Sequence, residues 1–250
     1  DQIGLIDSTH GSAIADPREP FIHMPSDFAT SALHRARVIR REARFLATLR
    51  ALPLKVAAFQ SRARRLAVRS GDEFSWQSAT RPPKLAALLS VAENRRSVVE
   101  LGTATGWTSI SLLLADPTRT LVSYDLVRRP ELDIYLQLVS PSVRRRLQFV
   151  CAPGDQGPHG GRQVELLYID SSHERVATIR EVHAWKPALA DGALIVFDDY
   201  THHGYPGIRE AVEELGLEGH EREGLFVHHV GSAVGSARRP DRGVPVTEAR

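Results

Sequence analysis

From Ser97 onward, short apolar and β-branched runs alternate with stretches of helical periodicity, and nothing else in the sequence restricts the fold as much. The runs are Ser97 to Leu101, Leu121 to Asp125, Leu147 to Cys151, Val164 to Asp170 and Ala193 to Asp198. Helical patterns fall between most of them, notably Trp107 to Ala115 and Glu174 to Ala190, and Gly207 to Leu215 follows. Strands of this kind joined by helices imply βαβ units and a parallel sheet with helices on both faces. Two further strand candidates, Leu217 to Arg222 and Leu225 to Val230, flank Gly224, as an antiparallel hairpin at the sheet edge would. The expectation is an α/β fold with a mainly parallel, seven-stranded sheet.

Upstream the rhythm is helical. Leu33, Ala36, Ile39, Ala43, Leu46 and Leu49 recur at three- and four-residue spacings, a second helical stretch follows Pro53, and Arg81-Pro82-Pro83 precedes a helix from Lys84 to about Glu93. Residues 1–30 read as an irregular arm and 231–250 as a flexible tail. The chain therefore divides into an N-terminal arm and helical extension (1–83, a lid or an oligomer contact), a sheet domain (84–230) and the tail (231–250). Between Arg35 and Arg69 stand eleven Lys or Arg against the single acid Glu42, although the whole chain carries only +2. Such a segment attracts nucleic acid or an anionic surface. No RNA-binding motif accompanies it, so a solvated helix face or a homo-oligomer contact is the favoured reading.

The first strand ends in a glycine turn, Glu100-Leu101-Gly102-Thr103-Ala104-Thr105-Gly106-Trp107, which opens a helix. In an open α/β sheet this carboxyl edge is where ligands bind. A dinucleotide fingerprint needs Gly-x-Gly-x-x-Gly, and Ala104 and Trp107 stand where its second and third glycines belong. The spacing Glu-x-Gly-x-x-x-Gly instead resembles the first motif of class I S-adenosylmethionine-dependent methyltransferases, which have a Rossmann-like fold. The resemblance implies S-adenosylmethionine as cofactor, with Glu100, Gly102, Thr103 and Gly106 around its methionine part. Trp107, beside the glycines at the helix start, either covers the cofactor or packs in the core. Asp125, about 20 residues beyond Gly106 at the end of the second run, stands where the family places an acid on the ribose diol. Gly154-Asp155 resembles the adenine-side turn. Phe74, Trp76 and Gln77 are candidates for a lid.

Two later strands end in acids, Asp170-Ser171-Ser172-His173 and Asp198-Asp199-Tyr200. Three carboxylates meeting at one sheet edge repel unless a cation lies between them, and oxygen ligands suit Mg²⁺ or a similar divalent ion. Helix capping is the alternative role, above all for Asp170. Asp-x-x-His, Asp-Asp-Tyr and then Pro206-Gly207-Ile208 resemble the metal-dependent O-methyltransferases of the macrocin type, which act on sugars, over roughly Ser97 to Val230. The resemblance implies Asp170, Asp198 and Asp199 as metal ligands and His173 as general base. Macrocin-type enzymes can carry Glu where this chain has Asp198. Catechol enzymes resemble this group but use a Lys after the fourth strand. The Lys closest to Asp170 along the sequence is Lys186, which tilts the expectation to an aliphatic hydroxyl.

The leading expectation is thus a Mg²⁺-dependent sugar O-methyltransferase acting on a glycoside or an oligosaccharide. Phenol or catechol methylation is the alternative, and an RNA-directed protein using the basic segment a third. His202 and His203 are possible substrate contacts, while His183, His228 and His229 read as structural. No apolar run approaches the roughly 20 residues of a membrane span. Cys151 is the single cysteine, which with the absence of a secretory pattern leads to a cytoplasmic expectation.

Overall fold

A computed structural model describes residues 45–231, apart from 46 and 162. The stripe from Leu33 to Ala43, the basic residues up to Arg44 and the tail beyond 231 lie outside the described residues. The seven strands are β1 (Ser97–Leu101), β2 (Thr120–Asp125), β3 (Leu147–Cys151), β4 (Val164–Ile169), β5 (Leu189–Phe197), β6 (Gly219–Arg222) and β7 (Leu225–His229). They form one sheet in the order β3-β2-β1-β4-β5-β7-β6. The first five strands run parallel, while β7 is antiparallel to β5 and β6 to β7, which is the expected edge hairpin.

The helices are α1 (Leu54–Ser70), α2 (Glu73–Ser78), α3 (Pro82–Val91), α4 (Trp107–Ala115), α5 (Pro130–Leu136), α6 (Pro141–Arg144), α7 (Arg175–Trp185) and α8 (Pro206–Glu214). Alternate side chains of each central strand serve opposite faces. In β4, Leu166 and Tyr168 join the core under α3 and α4, while Leu167 and Ile169 join Val182 and Trp185 of α7 and Ile208 of α8. Both faces of β4 are covered, so Leu166 to Ile169 form a continuous buried run.

Two expected boundaries move for a common reason. The helix expected from Glu174 to Ala190 stops at Trp185 and becomes a 3₁₀ turn over Lys186–Ala188, because Pro187 has no N–H to donate. The helix expected at Lys84 begins at Pro82, since proline is well suited to a first turn, where its N–H would have no partner. Arg119 is buried, and its guanidinium donates to the carbonyls of Arg95, Leu112 and Ala92, tying the ends of α3 and α4 together.

Helix α1 packs its Phe59, Ala63 and Ala67 against Trp107, Ile110 and Tyr135. Its Lys55, Arg62, Arg65 and Arg69 are exposed, whereas Arg64 is buried with its guanidinium 4.3 Å from the Phe45 ring centre. No helix among the described residues is long and apolar enough to cross a membrane.

Candidate functional site

Strand register sets the site. Leu101 aligns with Tyr124 and with Ile169, and Ile169 aligns with Phe197. Gly102, Asp125, Asp170 and Asp198, each one residue further on, therefore stand in a row along the carboxyl edge. Beyond them opens a cavity of about 1350 Å³. It is larger than the roughly 300–1,000 Å³ of an ordinary small-molecule site. Four of the five non-glycine residues with positive φ among the described residues line it, namely Ala104, His173, Asp199 and Glu223. Backbone strain concentrated at one cavity marks a functional site.

At one end of the cavity the β1 turn is held by Asp125. Its Oδ2 accepts from Thr103 N at 3.0 Å and Ala104 N at 2.9 Å, and its Oδ1 accepts from Val127 N at 3.2 Å. Gly102 has φ +96, and a Cβ there would lie 1.9 Å from the Asp170 carbonyl oxygen. Asp155 also reaches the cavity, its carboxylate paired with Arg180 at 2.9 Å. Phe74 and Gln77 of α2 line the same end, and Arg129 stacks over the Phe74 ring at 3.9 Å. Trp76 points instead to the α1 core, where Arg64 lies over its ring.

Of the sequence-predicted cofactor residues, Gly102, Asp125 and Asp155 line the cavity, whereas Glu100, Thr103, Gly106 and Trp107 do not. Trp107 is 3% exposed and packs edge-on to Phe59 and Tyr135, so it is a core residue. Gly106 caps α4 with φ +81, where a Cβ would strike Leu132. Thr103 turns its hydroxyl inward to Ser123. Glu100 lies between the sheet and α4, accepting from the hydroxyls of Ser109 and Ser123.

Burial lifts the Glu100 carboxyl from 4.5 to about 8, against the two serine hydrogen bonds, so it is neutral at pH 7. The folded state keeps a proton that the unfolded chain loses above pH 4.5. Stability therefore falls as pH rises from about 4.5 to about 8, by up to about 5 kcal/mol for a shift of that size. Glu100→Gln is expected to gain stability over the wild type across that window in urea titrations, with cofactor affinity unchanged. A loss of affinity with no pH-dependent gain would instead place the carboxylate on the cofactor.

At the other end, Asp170, His173, Asp198 and Asp199 lie together. Among these carboxylates lies a residue the sequence reading missed. Lys84 Nζ, from the first turn of α3, is 2.5 Å from Asp198 Oδ1 and 2.6 Å from Asp199 Oδ1. Burial opposes its charge, but the two carboxylates outweigh that and raise its pKa. Tyr168 donates to Asp198 Oδ2 at 2.7 Å and faces Asp170 Oδ2 at 3.3 Å. His173 Nε2 stands 3.3 Å from Asp170 Oδ1 and 3.6 Å from Asp199 Oδ2. It is buried without hydrogen-bond geometry to any partner among the described residues. Burial and the neighbouring Asp198 carboxylate raise Asp170 to about 7, the His173 interaction working the other way.

All six carboxylate oxygens of the three aspartates thus face an ammonium, a phenol or an imidazole of the chain itself. Among the described residues no three His, Cys, Asp or Glu side chains are arranged to hold a metal ion. The expected Mg²⁺ ligand set does not fit this arrangement, because the Lys84 ammonium already stands between the carboxylates of Asp198 and Asp199. No lysine follows the fourth strand, as read from the sequence, yet one reaches the acidic pair from elsewhere in the chain. Lys84 is 114 residues from Asp198 in sequence, and only the packing of α3 on the sheet joins them.

A platform of stacked rings borders this end. His173 stacks on Tyr205, and Tyr205 on His202, each with ring centres 4.5 Å apart. His202 and His203 both line the cavity, whereas His183, His228 and His229 do not.

Residues 99–200 match the profile of a family described as a methyltransferase domain, a span of less than half the chain. Comparison with curated proteins finds no match. Among solved structures, the chain is similar to the O-methyltransferase from Bacillus cereus in complex with SAH. The two share 12% identity and a TM-score of 0.55, with 69% of this chain and 90% of that one covered. It is also similar to the O-methyltransferase TomG from Streptomyces achromogenes, which is involved in tomaymycin synthesis and was solved with SAM. Here identity is 19% and the TM-score 0.53, again covering 69% and 90% of the two chains. At these identities the likeness is one of fold. Residues 99–200 thus match a methyltransferase-domain profile, and the chain shares the Rossmann-like fold of these O-methyltransferase structures.

Proposed function

We propose that this methyltransferase domain uses S-adenosylmethionine to methylate a hydroxyl oxygen of a small molecule, with His173 as general base. One observation carries the reading. The Gly102–Asp125 turn and His173 line one continuous cavity, large enough for a cofactor and an acceptor together. Gly102, Ala104, Asp125 and Asp155 would hold the cofactor. Leu126 and Phe74, 68% and 45% exposed at that end, offer the apolar surface that a purine covers. When bound, S-adenosylmethionine supplies an electrophilic methyl group, so the chain needs only to present an oxygen and remove its proton.

His173 suits that task. Its Nε2 is aimed into the carboxylate cluster, and Asp170 and Asp199 stabilise the imidazolium formed when it takes a proton. The Tyr205–His202 stack would position the acceptor's ring face. A sugar hydroxyl is the acceptor expected from the sequence. A phenol is the second reading, and Lys84, although it does not follow the fourth strand, offers an ammonium beside the acidic pair that could meet a phenolate. A phenol is also acidic enough for an imidazole base to serve without a metal. The divalent cation expected from the sequence is not part of this reading.

Incubation with S-adenosylmethionine and matched panels of glycosides and phenols, read by mass spectrometry, tests it. One methyl added to a hydroxyl in either panel is the expected outcome and decides between the acceptors. Methylation confined to nitrogen or carbon acceptors would contradict the proposal.

A further inference from the structure

We propose that Lys84 is a tethered cation standing where a divalent metal would bind, so that oxygen methylation in this chain proceeds without a metal ion. Three observations converge on it. The ammonium touches both members of the acidic pair, at 2.5 and 2.6 Å, with its side chain only 18% exposed. Of the remaining oxygens, Asp198 Oδ2 accepts from Tyr168 at 2.7 Å, while Asp170 Oδ1 and Asp199 Oδ2 lie 3.3 and 3.6 Å from His173 Nε2. The lysine is also positioned rather than loosely draped. Pro82 and Pro83 set the first turn of α3, and Gly224 in the β6–β7 turn lies against the Lys84 stem, where a Cβ would be 3.6 Å from its Cε. That turn is itself tied to the acidic pair's segment, through Tyr200 N donating to Gly224 O at 3.0 Å.

The chemistry follows from charge. A metal at this edge would do two things, namely neutralise the converging carboxylates and stabilise negative charge on the acceptor oxygen. Lys84 performs the first through two of its three N–H donors. Its third N–H is available to an acceptor oxygen in the cavity that Lys84 helps to line. A dication on the same oxygens would sit against the ammonium, so lysine and metal exclude each other. The role toward the acceptor rests on the proposed methyl transfer, whereas exclusion of a metal does not.

The test is therefore made on metal binding first. The full chain and its Lys84→Ala and Lys84→Arg variants are titrated with Mn²⁺, followed by electron paramagnetic resonance and by melting temperature. Wild type and Lys84→Arg are expected to take up no Mn²⁺ in the micromolar range. Lys84→Ala is expected to gain a site at least about tenfold tighter than wild type, with a melting temperature raised by Mn²⁺. Micromolar Mn²⁺ binding by the wild type that is abolished in Asp199→Ala would overturn the proposal. So would a folded Lys84→Ala variant with no gain in Mn²⁺ affinity. A parallel titration with S-adenosylmethionine separates the two claims. Its failure to bind would remove the methyltransferase reading while leaving the Mn²⁺ comparison intact. Should methylation be found, it is expected to persist in EDTA and to fall at least tenfold in Lys84→Ala.

Discussion

His173→Ala is expected to slow methyl transfer by roughly 10²- to 10⁴-fold, the usual worth of a positioned general base, with cofactor affinity unchanged. The separation of the two effects follows from the geometry. His173 lies at the Lys84 and Tyr205 end of the cavity, and the Gly102–Asp125 turn that would hold the cofactor is built from other elements. His173 has φ +59, a conformation alanine tolerates poorly, so His173→Asn is the companion variant. Asparagine accepts left-handed backbone but cannot act as the base. Equal losses in both variants, with intact cofactor binding by calorimetry, would exclude a folding defect. Full activity in either removes His173 as the base.

The same residue sets a pH dependence. Burial disfavours its charged form, but the Asp170, Asp199 and Asp198 carboxylates outweigh burial and raise its pKa above 6.5. A base must be unprotonated to act, so the rate should climb with pH through a midpoint displaced upward from the ordinary histidine value.

The largest expected effect on stability is at Gly102. A Cβ there would lie 1.9 Å from the carbonyl oxygen of Asp170, 2.7 Å from its carbonyl carbon and 3.2 Å from Ser171 Cα. All three are backbone atoms of the adjacent strand end, so no side chain can swing aside. The residue also has φ +96, which L side chains rarely adopt. Gly102→Ala must therefore push β1 and β4 apart at the point where both reach the site. A cost on the order of 4 kcal/mol or more is expected in urea unfolding, as for other severe backbone clashes. Gly192→Ala is the control. It has φ +70 but nothing within 4 Å of its Cβ, so only the left-handed backbone cost of about 1–2 kcal/mol should appear. Similar losses in the two variants would mean that the close approach of β1 to β4 is not what requires glycine at 102.

Much of the architecture was legible because parallel strands buried on both faces leave continuous apolar runs, and acids at their ends mark the ligand edge. Asp125, Asp170 and Asp198 were located by that logic, and the register puts them one residue beyond aligned strand ends. Side-chain direction was less legible. Glu100 shares the family motif, yet Val99 and Leu101 on either side of it face the α7 core. Strand alternation therefore turns Glu100 to the opposite face, toward Ser109 of α4, with Ser123 of β2 beside it. That parity was readable beforehand, and it argues against a cofactor contact. Trp107 was not readable in the same way, since its partners Phe59 and Tyr135 come from two separate helices. Lys84 was hidden most deeply. No local pattern distinguishes it from a solvated lysine at a helix start, and only tertiary packing delivers it to Asp198 and Asp199.

The central claim is that the cavity beyond Gly102 and Asp125 binds S-adenosylmethionine. Calorimetric titration of the full chain with S-adenosylhomocysteine, with NAD as the competing ligand, tests it most directly. One S-adenosylhomocysteine bound per chain, undisturbed by NAD, is the expected result. Binding of NAD in its place, or no binding of S-adenosylhomocysteine at millimolar concentration, would contradict the account.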